Sequence, residues 1–532
     1  MQTSIWMPDV LTMRLVLPEL VLVATIAALL IVPMVAGRSA RVSGSIALLG
    51  AVLAAAAAWT LFGPVSGGPR ELFSTDAAPG MLAADPLGMY FRAFLMLFLV
   101  GVLVVWFLLD AERERHAPEF MTLLVSSALG MALMSTTVNL LLMLIAIELA
   151  SLPSYALVGF DRFRRPAAEA SLKYVLFGAV CAGFSVFGVS LLFGLFGTLH
   201  LPTLVQRLAA AGTEVYTAPL LAVALLAVFV GIGFKISAVP MHFWCPDAFH
   251  GASLPVATWL SVASKAAGLV LLLRLVSIFC GPANVQYERN VLPLIGWDVA
   301  LFAAVTCTVA NLAAFQQNNI RRLLAYSSIA HAGYMLAAGA VVMTGGSAEP
   351  TSAVIQYLLV YMFMNLGAFL ALGLVAVDSG SEEIDAFRGL GWRDGLVAAA
   401  LTLCLVSLIG LPPMGGFIAK WWLLWALGGA AGDGVTPVTN ALWMLVFVIV
   451  INTALSLFYY ARIIREMYLR GVQVQGRPLQ APALGKLTVH ACAVVLLLTG
   501  LLTIGPLKRG ADAIMSASMS AAPAEASVAG SR

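Results

Sequence analysis

Four lysines, Lys173, Lys235, Lys265 and Lys420, stand inside long apolar stretches of this chain. Only six of its 29 basic residues are lysine, and the arginines gather instead in the short polar segments between apolar runs. The two side chains differ in what they can do when dry. A guanidinium keeps its proton, whereas an ammonium exchanges it as its surroundings change. A lysine at bilayer depth costs roughly 2.5–3.5 kcal/mol on insertion scales and ordinarily faces a partner in the bundle interior. Glu148, in "IELASLPSY", is the one acid between Val138 and Phe160, and it is the expected partner of Lys235. The proton affinities of such a carboxylate and ammonium depend on their separation, so the pair can act as a switch for protons.

Each of these residues has a plainer reading. Lys173 follows "DRFRRP" by a turn or two and can snorkel to the interface. Lys235 and Lys420 lie deeper, where snorkelling is harder. Lys265 has Ser261 four residues before it on the same helix face, an expected local hydrogen-bond partner. His242 stands at an expected helix break, as a relay or a cap. His331 sits beside Ser327, Ser328 and Tyr334, as a packed histidine or a proton station. Glu19 and Arg92 also fall within apolar runs, as a structural contact or the lining of an access path.

The elements that position these groups are membrane helices. The chain has 532 residues, 61% hydrophobic and 10% charged, against about 25% charged in soluble proteins. Apolar runs of helix-spanning length recur along its length, which makes it an all-α polytopic membrane protein. About fourteen spans are expected, near 15–36, 42–63, 85–109, 119–136, 138–158, 169–199, 217–243, 252–279, 291–313, 321–343, 351–377, 396–427, 439–468 and 485–505. The first is too long for a signal-peptide core, and Arg38 and Arg41 follow it. Segments after odd-numbered spans carry Arg38, Arg41, Arg113, Arg115, Arg162, Arg164, Arg165, Arg321, Arg322, Arg388 and Arg393. Segments after even-numbered spans carry Arg70, Arg207 and Arg289. The positive-inside rule then puts odd loops in the cytoplasm and both termini outside, on the periplasmic side of a bacterial inner membrane. The basic residues are accounted for by this asymmetry and call for no nucleic acid.

Spans seven and twelve are expected to be discontinuous. Pro240 follows Lys235, and Pro412, Pro413, Gly415 and Gly416 precede Lys420. Proline removes a backbone donor, and glycine loosens the chain. Broken helices beside charges mark ion sites in transporters, whereas plain kinking would explain the prolines but not the lysines. The segment "CPDAFHGA" reads as a short cytoplasmic turn between spans seven and eight. Five-helix units 119–279 and 291–468 would be inverted repeats, with N-terminal helices in 1–118, a last helix at 485–505 and a disordered tail at 510–532. Lys235 and Lys420 then occupy the fourth helix of each unit, Glu148 and His331 the second. The six cysteines show no CxxC spacing, so neither an iron–sulfur cluster nor a structural zinc site is expected in this chain.

The strings "GFKISAVPMHFWCPDAFHGA", "SVASKAAG", "IELASLPSY", "RRLLAYSSIAHAGYML" and "GLPPMGGFIAKWW" resemble the antiporter-like subunits of respiratory complex I, NADH–quinone oxidoreductase. Within them the likeness is greatest to the subunit N family, the bacterial counterpart of mitochondrial NADH dehydrogenase subunit 2. The resemblance covers nearly the whole chain. It implies a proton-translocating translocase subunit of the membrane arm, with Glu148, Lys235, Lys265 and Lys420 as its pumping residues and Lys173 and His331 as auxiliary polar positions. Other membrane-arm subunits, neighbouring antiporter-like ones included, and the lipid bilayer are the implied partners. NADH, FMN, iron–sulfur clusters and quinone are expected in other subunits of the complex and no cofactor in this chain. The sequence departs from the family pattern at His250, commonly glutamate, at Ser253, commonly proline, and at Ala419, often glycine. Rival readings are a subunit of a multisubunit cation/proton antiporter or membrane-bound hydrogenase, a photosynthetic relative fed by ferredoxin, and a membrane scaffold with inert charges.

Overall fold

The computed structural model describes residues 9–61, 70–75, 78–111, 116–211, 213–216, 219–280, 285–344, 348–432, 436–470 and 478–502. The expected tail at 510–532 lies outside them. The helices begin where short polar side chains can cap them. Asp85 accepts from the Gly88 amide, Asn139 from Leu141 and Leu142, Asn319 from Arg322, Asp394 from Val397 and Thr436 from Thr439. Left-handed glycines end two of them, Gly197 and Gly410.

In chain order, α1 (Val10–Leu15), α2 (Leu17–Ala36) and α3 (Ala40–Thr60) precede a short hairpin of β1 (Arg70–Leu72) and β2 (Leu82–Ala84). Then come α4 (Pro86–Leu109), α5 (Ala117–Thr136), α6 (Leu140–Val158), α7 (Arg165–Phe196), α8 (Leu201–Ala210), α9 (Thr213–Tyr216) and α10 (Pro219–Ile236). After a turn follow α11 (Trp244–Gly251), α12 (Leu254–Trp259), a π-helical turn at Leu260–Ser264, and α13 (Lys265–Phe279). The remainder comprises α14 (Val285–Ala314), α15 (Ile320–Leu336), α16 (Ala348–Ser379), α17 (Leu390–Arg393), α18 (Gly395–Ile409), α19 (Gly415–Ala431), α20 (Pro437–Tyr468) and α21 (Ala483–Leu502).

Among the described residues, twelve helices are long and apolar enough to cross a bilayer. The 17-residue α15 and α19 and the 15-residue α18 complete the bundle. Connections after alternate helices meet at opposite ends of the bundle. At one end Asn139 bridges to His200 and Leu82 to Thr137; at the other Asn319 bridges to Glu383, and the Gly389 amide reaches the Glu466 carbonyl. At that second end Lys486 pairs with Asp394 at 2.6 Å, tying α21 to α18. Burial would raise the Asp394 carboxyl, but Lys486 and the Val397 amide hold it below its ordinary value.

Large apolar side chains remain exposed along α2, α3, α7 and α20, as a lipid-facing band requires. Among the described residues, two charged pairs have both partners buried. Arg92 on α4 meets Glu19 on α2 at 3.2 Å and the Leu15 carbonyl at 2.8 Å. Arg274 on α13 meets Asp85 at 2.7 Å and the Ser135 carbonyl at 2.8 Å. Glu19 and Arg92 are thus a structural contact. The Arg274 pair was not anticipated from sequence, although an arginine within an apolar run was its signal.

Both expected helix breaks are present. After α10 the chain turns through 237–243, and Ser237 takes a positive φ of 65°. Between α18 and α19 it turns through 410–414, with Gly410 at φ 86°. The expected turn at "CPDAFHGA" is corrected: most of it forms the two-turn helix α11. Pro246 stands in the first turn of α11, where its missing donor costs nothing.

Candidate functional site

The site is assembled around the two breaks. Lys235 lies in the last turn of α10, 1% exposed, and its Nζ finds no hydrogen-bond partner among the described residues. Glu148, half-buried on α6, is near enough for the two charges to interact, yet the two form no ion pair within 4.0 Å. The expected pairing is therefore realised as opposed charges held apart. The Lys235 carbonyl accepts from Ser264 Oγ at 3.2 Å, which joins α10 to the π-helical turn. Gly268 permits the approach: a Cβ there would stand 3.1 Å from both the Lys235 Cβ and the Ile236 amide nitrogen.

Lys265 follows the π-helical turn and is fully buried. Its expected partner, Ser261, is not used, because Ser261 Oγ donates to the Thr258 carbonyl at 2.7 Å. Lys265 Nζ instead reaches Cys245 Sγ at 3.5 Å and the Leu260 carbonyl at 3.4 Å. The Leu260 carbonyl is five residues back, and five-residue spacing is that of a π-turn. The rings of Phe249 and Trp244 stand 5.0 and 5.8 Å from Nζ, a geometry that favours the charged ammonium.

The second cluster lies between α15, α16 and the break of α18. Lys420 Nζ donates to the Leu408 carbonyl at 3.0 Å and the Ile409 carbonyl at 2.8 Å. These carbonyls are orphaned where α18 ends, and the negative end of a helix dipole favours a cation there. The Tyr334 ring lies 5.0 Å from the same nitrogen. His331, 1% exposed, interacts with Lys420 and the Leu408 backbone and meets the Tyr357 hydroxyl at 2.7 Å through Nδ1. Its ring stacks on Tyr361, whose hydroxyl reaches back to the Ser261 carbonyl at 3.4 Å. Lys235, Lys265, Tyr361, His331 and Lys420 are thus all buried, with half-buried Glu148 within electrostatic reach of Lys235.

Two expected residues stand apart from this line. The Lys173 side chain is 41% exposed and pairs with Glu169 at 2.6 Å and Asp247 at 2.8 Å, the arrangement its snorkelling reading describes. His242 is buried in the turn after α10, packed on Phe243, with Nδ1 unpartnered. Sequence reasoning also missed a network at the far side of Tyr334. Asn311 donates to the Tyr334 hydroxyl at 2.9 Å and to Asn452 Oδ1 at 3.1 Å, and it accepts from Tyr459 at 2.9 Å. Two asparagines at bilayer depth were the available signal.

Comparison with known proteins decides the family. Residues 137–453 match the family described as NADH:quinone oxidoreductase/Mrp antiporter, TM. The chain is 40% identical over 502 residues to NADH-quinone oxidoreductase subunit N 2 of Sorangium cellulosum (strain So ce56), covering 91% of this chain and 93% of that one. This chain belongs to the subunit N family of NADH–quinone oxidoreductases. It also superposes on one chain of respiratory complex I from Thermus thermophilus with bound aureothin, with TM-score 0.71 and 31% identity over 91% of this chain and 97% of that one. A chain of the membrane-bound sulfane sulfur reductase, an archaeal respiratory membrane complex, superposes with TM-score 0.81. At 21% identity, with 95% of this chain and 99% of that one covered, that likeness shows a shared fold.

Proposed function

We propose that this subunit N family member carries protons across a bacterial inner membrane within the membrane arm of an NADH–quinone oxidoreductase, as a translocase subunit. The observation that carries the reading is the set of three buried lysines, Lys235, Lys265 and Lys420, in a chain of this family. Electron transfer from NADH to quinone, with FMN and iron–sulfur clusters, belongs to other subunits. A change relayed from them alters the separation of Glu148 and Lys235, and with it the hold of Lys235 on its proton. The proton on Lys265 then moves past Tyr361 and His331 to Lys420 and leaves at the outer face. His331 serves as a station beside Lys420, and Lys173 and His242 have supporting roles at the inner face and at the α10 break.

The same reading places fourteen crossings in the membrane, with both termini outside, and makes 119–279 and 291–468 inverted five-helix units. Other membrane-arm subunits, neighbouring antiporter-like chains among them, are its partners. The test is coupled proton pumping by the assembled complex with Lys235→Ala or Glu148→Ala. Each is expected to lower pumping by about tenfold or more. Undiminished pumping in both variants would overturn the assignment and favour an inert scaffold.

A further inference from the structure

The π-helical turn that leads into Lys265 is tied at its two ends to different helices. At its near end Trp259, the last residue of α12, donates through its indole nitrogen to Ser127 Oγ on α5 at 3.2 Å. Ser127 Oγ in turn reaches Ser154 Oγ at 3.0 Å and the Ala150 carbonyl at 3.3 Å, both on α6. The backbones of α5 and α6 touch at the same level, since a Cβ on Gly130 would stand 2.3 Å from the Ala150 amide nitrogen. Glu148 is two residues from Ala150 on α6, so it rides on the block that anchors Trp259. At the far end Ser264 Oγ donates to the Lys235 carbonyl on α10 at 3.2 Å. Ser127, Trp259 and Ser264 are fully buried. The five residues Leu260–Ser264 therefore run from the helix block that carries Glu148 to the helix that carries Lys235. Lys265 starts beside the far anchor, whereas a backbone acceptor of its ammonium, the Leu260 carbonyl at 3.4 Å, sits beside the near one.

We infer that Trp259 and Ser264 are positioning residues that make this turn a coupler, through which the separation of Glu148 and Lys235 sets the distance between the Leu260 carbonyl and the Lys265 ammonium. The inference rests on the proton-translocating reading of these groups. Neither positioning side chain carries the proton. When the α5–α6 block and α10 draw apart, the two anchors part with them and the turn between them is stretched. A π-turn is a rare interruption at which helices bend, so the change falls there and not on the α-helical turns that flank it. The Leu260 carbonyl then withdraws from Nζ, and a buried ammonium that loses an acceptor changes its hold on its proton. The mid-turn Ser261 carbonyl accepts from Tyr361 at 3.4 Å, so the same movement reaches α16, the helix whose Tyr357 holds His331.

The test uses the assembled complex in proteoliposomes and reads the initial rate of proton translocation per NADH oxidised. Loss of folded complex lowers both rates together and leaves this ratio unmoved, whereas loss of positioning lowers the ratio. Trp259→Phe keeps a ring to stack on Phe98, now at 5.8 Å between centroids, and removes the donor. Trp259→Phe and Ser264→Ala are each expected to lower the ratio about tenfold. Ser127→Ala removes the acceptor of the Trp259 bond, so the Trp259→Phe, Ser127→Ala double variant is expected to be no worse than either single one. Ser264→Thr, which keeps the hydroxyl, is expected to recover most of the ratio. Thr258→Val is the reference, expected at the parental ratio, because the Thr258 hydroxyl bonds the Leu254 carbonyl within α12 and ties no second helix. A parental ratio in Trp259→Phe or Ser264→Ala, or additive losses in the double variant, overturns the inference. Lys265→Ala separates the two readings. If it abolishes translocation while Trp259→Phe and Ser264→Ala keep the parental ratio, only the coupling role is lost; if Lys265→Ala keeps that ratio as well, the proposed function fails with it.

Discussion

The two broken helices hold their lysines in opposite ways. Lys235 precedes its break, in the last turn of α10, and its ammonium has no hydrogen bond among the described residues. Lys420 lies in α19, after its break, and reaches back to the last two carbonyls of α18. The surroundings differ in the same sense. Lys235 has an acid nearby that does not close on it, whereas Lys420 has a histidine and a tyrosine ring packed around it. The first site is built to be moved by a neighbouring charge, and the second to receive and hold. In the proposed proton route, one loose and one fixed end would give the line a direction, which a symmetrical pair would lack.

The breaks themselves differ in stiffness, and this gives the largest expected effect. A Cβ on Gly416 would lie 1.8 Å from the Ser407 carbonyl oxygen, and the Gly416 amide donates to Ser407 Oγ. A Cβ on Gly233 would clash with the end of the Met241 side chain, at 2.3 Å, and make ordinary contacts with Phe229 and Ala238 at 3.5 and 3.8 Å. Backbone cannot yield as a thioether can. Gly416→Ala is therefore expected to cost about 3 kcal/mol or more. Gly233→Ala should cost under about 1 kcal/mol. Thermal unfolding of the purified complex, followed by tryptophan fluorescence, measures both. Equal losses would mean that the two breaks are equally braced.

Next in size is the response to removing each ammonium. An unpartnered buried charge is a standing cost, so Lys235→Met is expected to leave stability unchanged or raise it by about 1 kcal/mol, while pumping is lost. Lys420→Met strips a donor from two buried carbonyls and is expected to destabilise by about 1–3 kcal/mol. The sign of the difference between the variants, read in the same unfolding experiment, checks the comparison. A Lys235→Met protein less stable than Lys420→Met would show that Lys235 is the better satisfied of the two.

Much of this contrast was legible in the sequence, for a definite reason. Bilayer depth makes each lysine costly, so Lys235, Lys265 and Lys420 stand out against the apolar runs without any structure. The prolines at 240, 412 and 413 likewise announce where the backbone must turn. What stayed hidden depends on tertiary approach. Ser261 has the correct helical spacing to serve Lys265, but the π-helical turn rotates the register and hands the lysine to Cys245 on another helix. No spacing rule reports that the Glu148–Lys235 pair stands open, because the separation is set by how α6 and α10 each pack on α7. In α11, Asp247 and His250 read as loop, since two turns are too short for a periodic signal.

The smallest predicted effect concerns what holds the fixed end. His331 Nδ1 is satisfied by the Tyr357 hydroxyl at 2.7 Å, on a helix that contributes no lysine. Tyr357→Phe keeps the ring and removes only that hydroxyl, so packing on His331 is retained. The loss is one buried hydrogen bond, about 1 kcal/mol, at the low end of the range expected for Lys420→Met. If His331 is a station for the proton rather than a wall for Lys420, freeing its ring should slow pumping by a few-fold while the complex assembles normally. Tyr459→Phe serves as the reference, because that buried hydroxyl donates to Asn311 and not to the histidine. Initial rates of proton translocation at saturating NADH decide the matter. Equal rates for Tyr357→Phe and the parent would assign His331 to packing and leave Lys420 as the sole titrating group of the second half.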